Sequence, residues 1–257
     1  MNKPILFVGQ CKQGSNSLFY ALSQQPELVP GQNIRAMVRQ SFTCEPYFSN
    51  WDGIYTKNAR YLLDKSIINP KKYDYHVGNW ENYNHKMIYM IRNIYKVLKS
   101  QFLVVLAGEA SYQYNIPQFA KTWTVDDRFS EEQVLQIMDY NKQKYTHYDN
   151  ITNLPMDVFD LKTNIHVCTF EGFTENTSSE FTRLEHFLDM ELDVTEYPHK
   201  NKTEYEWYSE QTSTYERNLK LFEKYKDFIY KQYVDVCEYE KLSELTGIDF
   251  ISLYGIR

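Results

Sequence analysis

Short apolar runs alternate with longer amphipathic segments along this chain, and this alternation is the first indication of its fold. The runs at residues 4–8, 86–91 and 164–171 have the length and the β-favouring residue types of buried strands. Apolar residues recur at helical spacing in segments 15–24, 94–106, 131–144, 181–188 and 214–236. Strands followed by helices predict an α/β fold of three layers, in which a central, mostly parallel sheet is flanked by helices. We expect a single domain spanning residues 1–257.

Two shorter segments have a less defined pattern. Residues 73–77 are compatible with a short strand. Residues 61–68 are apolar except around Asp64 and Lys65, which leaves two interpretations open. The pair belongs either to a solvated helix end or to a segment that brings a second cation near a bound ligand.

Composition restricts the classes of function. The formal net charge of -6 argues against a general nucleic-acid-binding protein, because affinity for the phosphate backbone comes from an excess of Lys and Arg. The four cysteines are widely spaced and form no CxxC pair, which is typical of a reduced, cytoplasmic setting. No run approaches 18 apolar residues, and the first strand is too short for a signal sequence, so we expect no membrane anchor and no export.

The loop between the first strand and the first helix is the strongest candidate for chemistry. Such a loop presents backbone N–H groups at a helix N-terminus, where the dipole favours an anion such as phosphate. Gly9 and Gly14 have the spacing of the Walker A motif, but Ser15 and Asn16 occupy its Lys and hydroxyl positions. The lysine instead lies inside the loop, at Lys12. This arrangement disfavours nucleoside-triphosphate chemistry of the usual kind and indicates a different phosphate donor. The alternative is a tight turn that only closes a parallel sheet.

A second phosphate-binding signal follows the strand at residues 86–91. Arg92 stands at the carboxyl end of that strand, and Ser100 lies about two turns into the helix that follows. Both are therefore expected near the ligand-binding edge of an open α/β sheet.

Glu45 is a candidate general base. It is the one carboxylate in an apolar and aromatic stretch, Cys44-Glu45-Pro46-Tyr47-Phe48. A carboxyl group in such surroundings tends to have a raised pKa, which suits proton abstraction near neutral pH. The alternative is a surface glutamate in a turn.

These motifs together resemble the PAPS-dependent sulfotransferases, with the carbohydrate branch most similar. Residues 9–18 resemble the 5′-phosphosulfate loop of the family, and Arg92-Asn93 with Ser100 resembles its 3′-phosphate signature. Residues 44–48 are similar to the Lys-Glu-Pro-x-Phe-Phe segment of the carbohydrate branch, whose Glu serves as the base, and residues 63–66 to its Glu-Lys-Ser/Thr segment. The chain departs from the family pattern at Ser15-Asn16, where the family has Thr-Thr, at Ile94, where it has Pro, and at Cys44, where it has Lys.

The resemblance implies a P-loop-like sulfotransferase fold and an enzyme that moves a sulfuryl group from PAPS to a hydroxyl or amine, leaving PAP (adenosine 3′,5′-bisphosphate). It implies Glu45 as the base, with Asp64 or a histidine as the fallback, and Lys12 and Lys65 as cations at the reacting centre. The implied donor-binding residues are Lys12, Gln13, Gly14, Ser15, Asn16, Ser17, Arg92 and Ser100, with Lys200 and Lys202 as candidates for closing the 3′-phosphate site.

Several questions stay open at the level of sequence. The acceptor is a small molecule, a carbohydrate or a peptide, and the oligomeric state is not indicated. No metal is expected, because none of the six histidines pairs with another His or Cys at ligand spacing. The alternatives to a sulfotransferase are another P-loop transferase, such as a small-molecule kinase, and a non-catalytic nucleotide-binding protein on the same scaffold.

Overall fold

A parallel β-sheet forms the centre of the computed structural model, which describes residues 3–9, 14–30, 60–66, 86–106, 129–144, 164–194 and 212–256. Its five strands are β1 (Lys3–Gly9), β2 (Leu28–Pro30), β3 (Tyr61–Ser66), β4 (Lys86–Ile91) and β5 (Asn164–Thr169). They lie in the order β2-β3-β1-β4-β5, and every neighbouring pair is parallel. The predicted α/β class with its mostly parallel sheet is therefore confirmed.

The strands agree with the apolar runs at the centre of the sheet and less well elsewhere. β4 has the predicted bounds, and β1 extends the predicted run by one residue at each end. Residues 61–66 form a strand and not a helix end, with Lys65 opposite Phe7 of β1. The three residues of β2 are too few to give a periodic signal. Segment 73–77 lies outside the described residues.

The prediction for β5 was wrong at its carboxyl end and in its burial. The strand ends at Thr169, because the Thr169 hydroxyl accepts a hydrogen bond of 3.0 Å from the Gly172 N–H and thereby caps a helix that begins at Phe170. Of the six residues of β5, only Cys168 is buried, since this strand lies at the edge of the described sheet.

Eight helices lie in the described part of the chain. They are α1 (Ser15–Ser23), α2 (Ile94–Leu106), α3 (Glu131–Lys144), α4 (Phe170–Glu175), α5 (Thr177–Leu188), α6 (Thr212–Tyr233), α7 (Val236–Thr246) and α8 (Phe250–Tyr254). α2 and α3 have the predicted bounds, and α5 begins four residues before the predicted 181. None of these described helices is long and apolar enough to cross a membrane.

The helices cover both faces of the sheet and bury two separate cores. On one face, Ile5, Phe7, Ile88 and Met90 pack with residues of α1, α4 and α5. On the other face, alternate β4 residues pack with α2, α3, α6, α7 and α8; these strand residues are Met87, Tyr89 and Ile91. β4 is buried on both faces, as expected of a central strand in a three-layer parallel fold.

The last helix packs against the carboxyl half of β4. The Tyr89 and Tyr254 hydroxyls share a hydrogen bond of 2.8 Å, and both side chains are fully buried. Burial raises the pKa of Tyr89, and the neighbouring Tyr254 adds to this effect. Gly255 ends α8 with a φ of 62°, and a Cβ at this position would lie 2.3 Å from Nδ2 of Asn93. The end of α8 is thus in close contact with the turn that follows β4.

Candidate active site at the switch point of the sheet

The strand order reverses between β1 and β4, and the candidate site lies at this reversal. β1 leads into α1 on one face of the sheet, whereas β4 leads into α2 on the other face. In open α/β sheets, ligands bind in the crevice outside the carboxyl ends of the strands at such a reversal. Gly9 ends β1 and pairs with Met90, so the loop after β1 and the turn after β4 begin side by side. The segments that follow the two strands therefore start from neighbouring positions at one edge of the sheet.

The described part of the phosphate loop is its last residue and the start of α1. Gly14 precedes the helix with a φ of 85°, in the left-handed region that favours glycine. The Ser17 N–H donates to the Gly14 carbonyl at 3.1 Å, and the Ser17 side chain is buried. Helix geometry leaves the N–H groups of Ser15 and Asn16 without an intrahelical acceptor, directed beyond the helix start. These N–H groups lie at a helix N-terminus, where the helix dipole favours an anion.

Phe170 connects this turn to Arg92. The Phe170 ring lies against Gly14, because a Cβ on Gly14 would be only 2.1 Å from the ring atom Cδ2. The guanidinium of Arg92 lies over the same ring, 4.4 Å from its centroid. The strand register explains the contact, since Ile91 pairs with Thr169 and the next residues, Arg92 and Phe170, therefore leave the sheet together. Sequence reasoning did not identify Phe170 as part of the site, because it placed Phe170 inside the strand; the position of this aromatic residue near the carboxyl end of the predicted strand was the available signal.

Glu171 is a second residue that sequence reasoning missed. Its Oε2 accepts a hydrogen bond of 3.3 Å from the Asn93 N–H, and its Oε1 lies 3.2 Å from Nζ of Lys96. Asn93 in turn caps α2, because its Oδ1 accepts from the N–H groups of Tyr95 at 3.1 Å and Lys96 at 3.3 Å. The residue that follows Arg92 is thus bound from both sides, by its own helix and by α4.

The remaining predicted residues are placed only in part. Ser100 is half-buried on α2, six residues after the helix begins and thus about 9 Å along its axis. The backbone of Lys65 lies near the carboxyl end of β3, next to β1. Lys12, Gln13 and Glu45 lie outside the described residues, as do Lys200 and Lys202. The roles of all these residues stay predictions.

The titratable groups on β5 lie against α5 and not at this edge. His166 stacks on Phe187 with ring centroids 5.1 Å apart, and burial, with a smaller effect of the Arg183 charge, lowers its pKa to about 4. Burial likewise raises the pKa of the Cys168 thiol. Among the described residues, no group of three His, Cys, Asp or Glu side chains could hold a metal ion.

Solved structures with the same architecture were found by comparison of folds. The sulfotransferase from Alicyclobacillus acidocaldarius is similar over 98% of this chain and 99% of its own, with a TM-score of 0.53 and 16% identity. The chain has the sulfotransferase fold. The similarity extends over nearly the whole length of both chains.

Two further sulfotransferase structures are similar at lower TM-scores. Mouse SULT7A1 complexed with PAP has a TM-score of 0.49 and 14% identity over 84% of this chain and 64% of its own. The sulfotransferase domain from the curacin biosynthetic pathway has a TM-score of 0.38 and 14% identity, over 75% of this chain and 76% of its own. No family model matches the sequence, and no curated protein matches it.

Proposed function

We propose that this protein is a sulfotransferase that transfers a sulfuryl group from PAPS to a hydroxyl or amine of an acceptor. The observation that carries the proposal is the position of Gly14 and Arg92, which contact the same Phe170 ring at the switch point of a sulfotransferase fold. PAPS carries anionic groups at the 5′ and the 3′ positions of its ribose, and here the residue that precedes α1 and an arginine lie against one ring.

The loop would stabilise the leaving group. As the bond between sulfur and the bridging oxygen breaks, its electron pair moves to the 5′-phosphate, which gains negative charge. Fixed donors aimed at that oxygen are strengthened in the transition state and lower the barrier. In the proposal these donors are Lys12, the N–H groups at the start of α1, and the side chains of Gln13, Ser15, Asn16 and Ser17. Lys65 on β3 is the second cation at the bridging oxygen.

The other side of the reaction is proton removal from the acceptor. The acceptor oxygen or nitrogen forms the new bond to sulfur in line with the leaving phosphate, and its proton passes to a base. Glu45 is the proposed base. Arg92 and Ser100 would bind the 3′-phosphate, which distinguishes PAPS from ATP and takes no part in bond breaking. The products are a sulfated acceptor and PAP, and no step requires a metal.

Isothermal titration with PAP tests the donor site. We expect the wild type to bind, and Lys12→Ala and Arg92→Ala each to weaken binding by about 10- to 100-fold, because each removes a charge-assisted contact to phosphate. Lys241→Ala is the matched control, since Lys241 is exposed on α7 and its loss changes the net charge equally. Its affinity should equal that of the wild type.

Three results would contradict the proposal. They are no binding of PAP, undiminished binding by both site variants, and tighter binding of ATP with magnesium, which would favour a kinase. If PAP binds, a panel of carbohydrate, peptide and small-molecule acceptors with labelled PAPS tests turnover. Glu45→Ala should then lose sulfation but retain PAP binding, whereas a non-catalytic binding protein would sulfate nothing in either form.

A further inference from the structure

Two consecutive residues of α4 contact Arg92 and the residue that follows it, Asn93. The Phe170 ring supports the guanidinium at 4.4 Å, while the carboxylate of Glu171 accepts the Asn93 N–H at 3.3 Å. That N–H belongs to the peptide unit that joins Arg92 to Asn93, so the hydrogen bond restrains the backbone from which the arginine side chain extends. Both the base and the tip of Arg92 are therefore oriented by the same turn of helix.

Glu171 is a negatively charged residue beside the proposed phosphate-binding site. A carboxylate here would repel a phosphate, and the 3.2 Å contact with Lys96 offsets that charge. The contact is ionic and not a directed hydrogen bond, because Oε1 has no hydrogen-bond partner among the described residues. Lys96 lies in the first turn of α2, where the helix dipole disfavours a cation, and Glu171 compensates for this as well.

The partial burial of Glu171 and the reach of its side chain to the Asn93 N–H indicate that it orients Arg92, and that its main role is not the ion pair with Lys96. The Glu171 side chain is 23% exposed, whereas Lys96 is 50% exposed, so the ion pair alone should contribute little. A charge-assisted hydrogen bond from a partly buried main-chain N–H is worth more than an exposed ion pair. A rotation of about 15° at the Arg92 backbone would move the guanidinium by more than an ångström, which exceeds the tolerance of about 0.5 Å for productive contacts.

We propose that Glu171 is a positioning residue, whose hydrogen bond to the Asn93 N–H orients Arg92 for the 3′-phosphate of the donor. The inference rests on the function proposed above. It predicts that Glu171 sets the preference for a 3′-phosphate and leaves binding of the 5′ end unchanged. It also predicts that the reach of the side chain matters more than its charge.

Two substitutions separate reach from charge. Glu171→Gln removes the charge but keeps an oxygen at the same distance from the Asn93 N–H. Glu171→Asp keeps the charge but withdraws the oxygens by ~1.5 Å, from 3.3 Å to beyond hydrogen-bonding distance. We expect the Gln variant to bind PAP within about threefold of the wild type, and the Asp variant to bind it about 10-fold more weakly, or ~1.4 kcal/mol.

The ratio of affinities for PAP and adenosine 5′-phosphate gives the readout that a merely structural role would not change. Titration calorimetry measures PAP binding, and titration by NMR measures the weaker ligand. Only PAP affinity should fall in Glu171→Asp, and in an Arg92→Ala background the Asp and Gln variants should bind PAP equally. Glu175→Ala is the control on the same helix, because Glu175 is exposed, and it should bind both ligands as the wild type does. Thermal unfolding confirms that each variant folds.

Several results would overturn the inference. It would be wrong if the Gln and Asp variants bound PAP equally, or if the Gln variant bound PAP more weakly than the Asp variant. It would also be wrong if the Asp variant lost affinity for PAP and for adenosine 5′-phosphate by the same factor. These failures differ from failure of the proposed function. In that case the wild type itself would not bind PAP, or Arg92→Ala would leave PAP binding unchanged.

Discussion

Replacement of Gly14 by alanine tests the contact between the phosphate loop and Phe170 most directly. The substitution adds one methyl group at a residue whose φ is 85°. That methyl group would be placed 2.1 Å from Cδ2 and 2.6 Å from Cε2 of Phe170. Separations this short do not occur between non-bonded carbon atoms, so either the ring or the loop must move.

The expected cost has two parts. A left-handed backbone costs a residue with a Cβ about 1–2 kcal/mol. Overpacking of a close contact typically costs about 1–3 kcal/mol more. Gly14→Ala should therefore lower the free energy of unfolding by about 3 kcal/mol. For a chain of this size the melting temperature should fall by about 6–12 °C.

Gly247→Ala is the matched control, because it isolates the backbone term. Gly247 follows α7 with a φ of 70°, and no heavy atom of the described residues beyond its chain neighbours lies within 4 Å of a Cβ built there. An alanine at this position has a strained backbone but no steric clash, so it should lower the free energy of unfolding by only about 1 kcal/mol. Both substitutions reduce the entropy of the unfolded chain equally, and this effect cancels in the comparison. The difference between the two measures the contact with Phe170.

A double-mutant cycle assigns that difference to the ring. In a Phe170→Ala background, the cost of Gly14→Ala should fall to that of Gly247→Ala, because the colliding atoms are gone. Urea unfolding followed by circular dichroism gives all four free energies. Equal losses for Gly14→Ala and Gly247→Ala, or strictly additive effects of the Gly14 and Phe170 changes, would refute the reasoning.

Two further predictions concern stability away from the candidate site. Folding lowers the pKa of His166 from 6.5 to about 4, so between these pH values the unfolded state binds one proton more than the folded state. As the pH falls from 6.5 to 4, the free energy of unfolding of the wild type should therefore fall, relative to that of His166→Gln, by up to about 1.4 kcal/mol per pH unit. Denaturant unfolding of both proteins at pH 7 and pH 4.5 measures this, and parallel profiles would contradict it. Asn218 is fully buried on α6, and neither amide atom has a hydrogen-bond partner in the part of the chain that the structure describes. Asn218→Leu should therefore raise the free energy of unfolding by about 1 kcal/mol, whereas a loss would indicate a partner outside the described residues.

The pattern of apolar residues was sufficient to predict the elements whose burial repeats regularly along their own sequence. The apolar run of β4 and the helical spacing of α2 gave both elements with their observed bounds, because β4 is buried on both faces and α2 buries a continuous stripe. The pattern was insufficient at residues 61–66, where Asp64 and Lys65 interrupt the apolar run of a strand. It also missed the end of β5, since capping by the Thr169 hydroxyl is a local hydrogen bond that periodicity does not represent.

The candidate site was predictable only as two separate segments. The glycine loop and Arg92 each follow a strand, and the parallel sheet brings their starting points together. The residues that join them, Phe170 and Glu171, come from a third strand end far along the chain. Their roles follow from strand order and register, which a single sequence does not determine.

The contact between β4 and α8 also has a consequence for biosynthesis. The hydroxyl of Tyr89 is bonded to that of Tyr254, which lies 165 residues later in the chain. At about 5–20 residues per second, a ribosome needs roughly 8–30 seconds to add those residues. During that interval the nascent chain already contains Arg92, but not the helix that covers the adjacent half of β4. We expect this half of β4 to stay uncovered until α8 has been synthesised and Gly255 has reached Asn93.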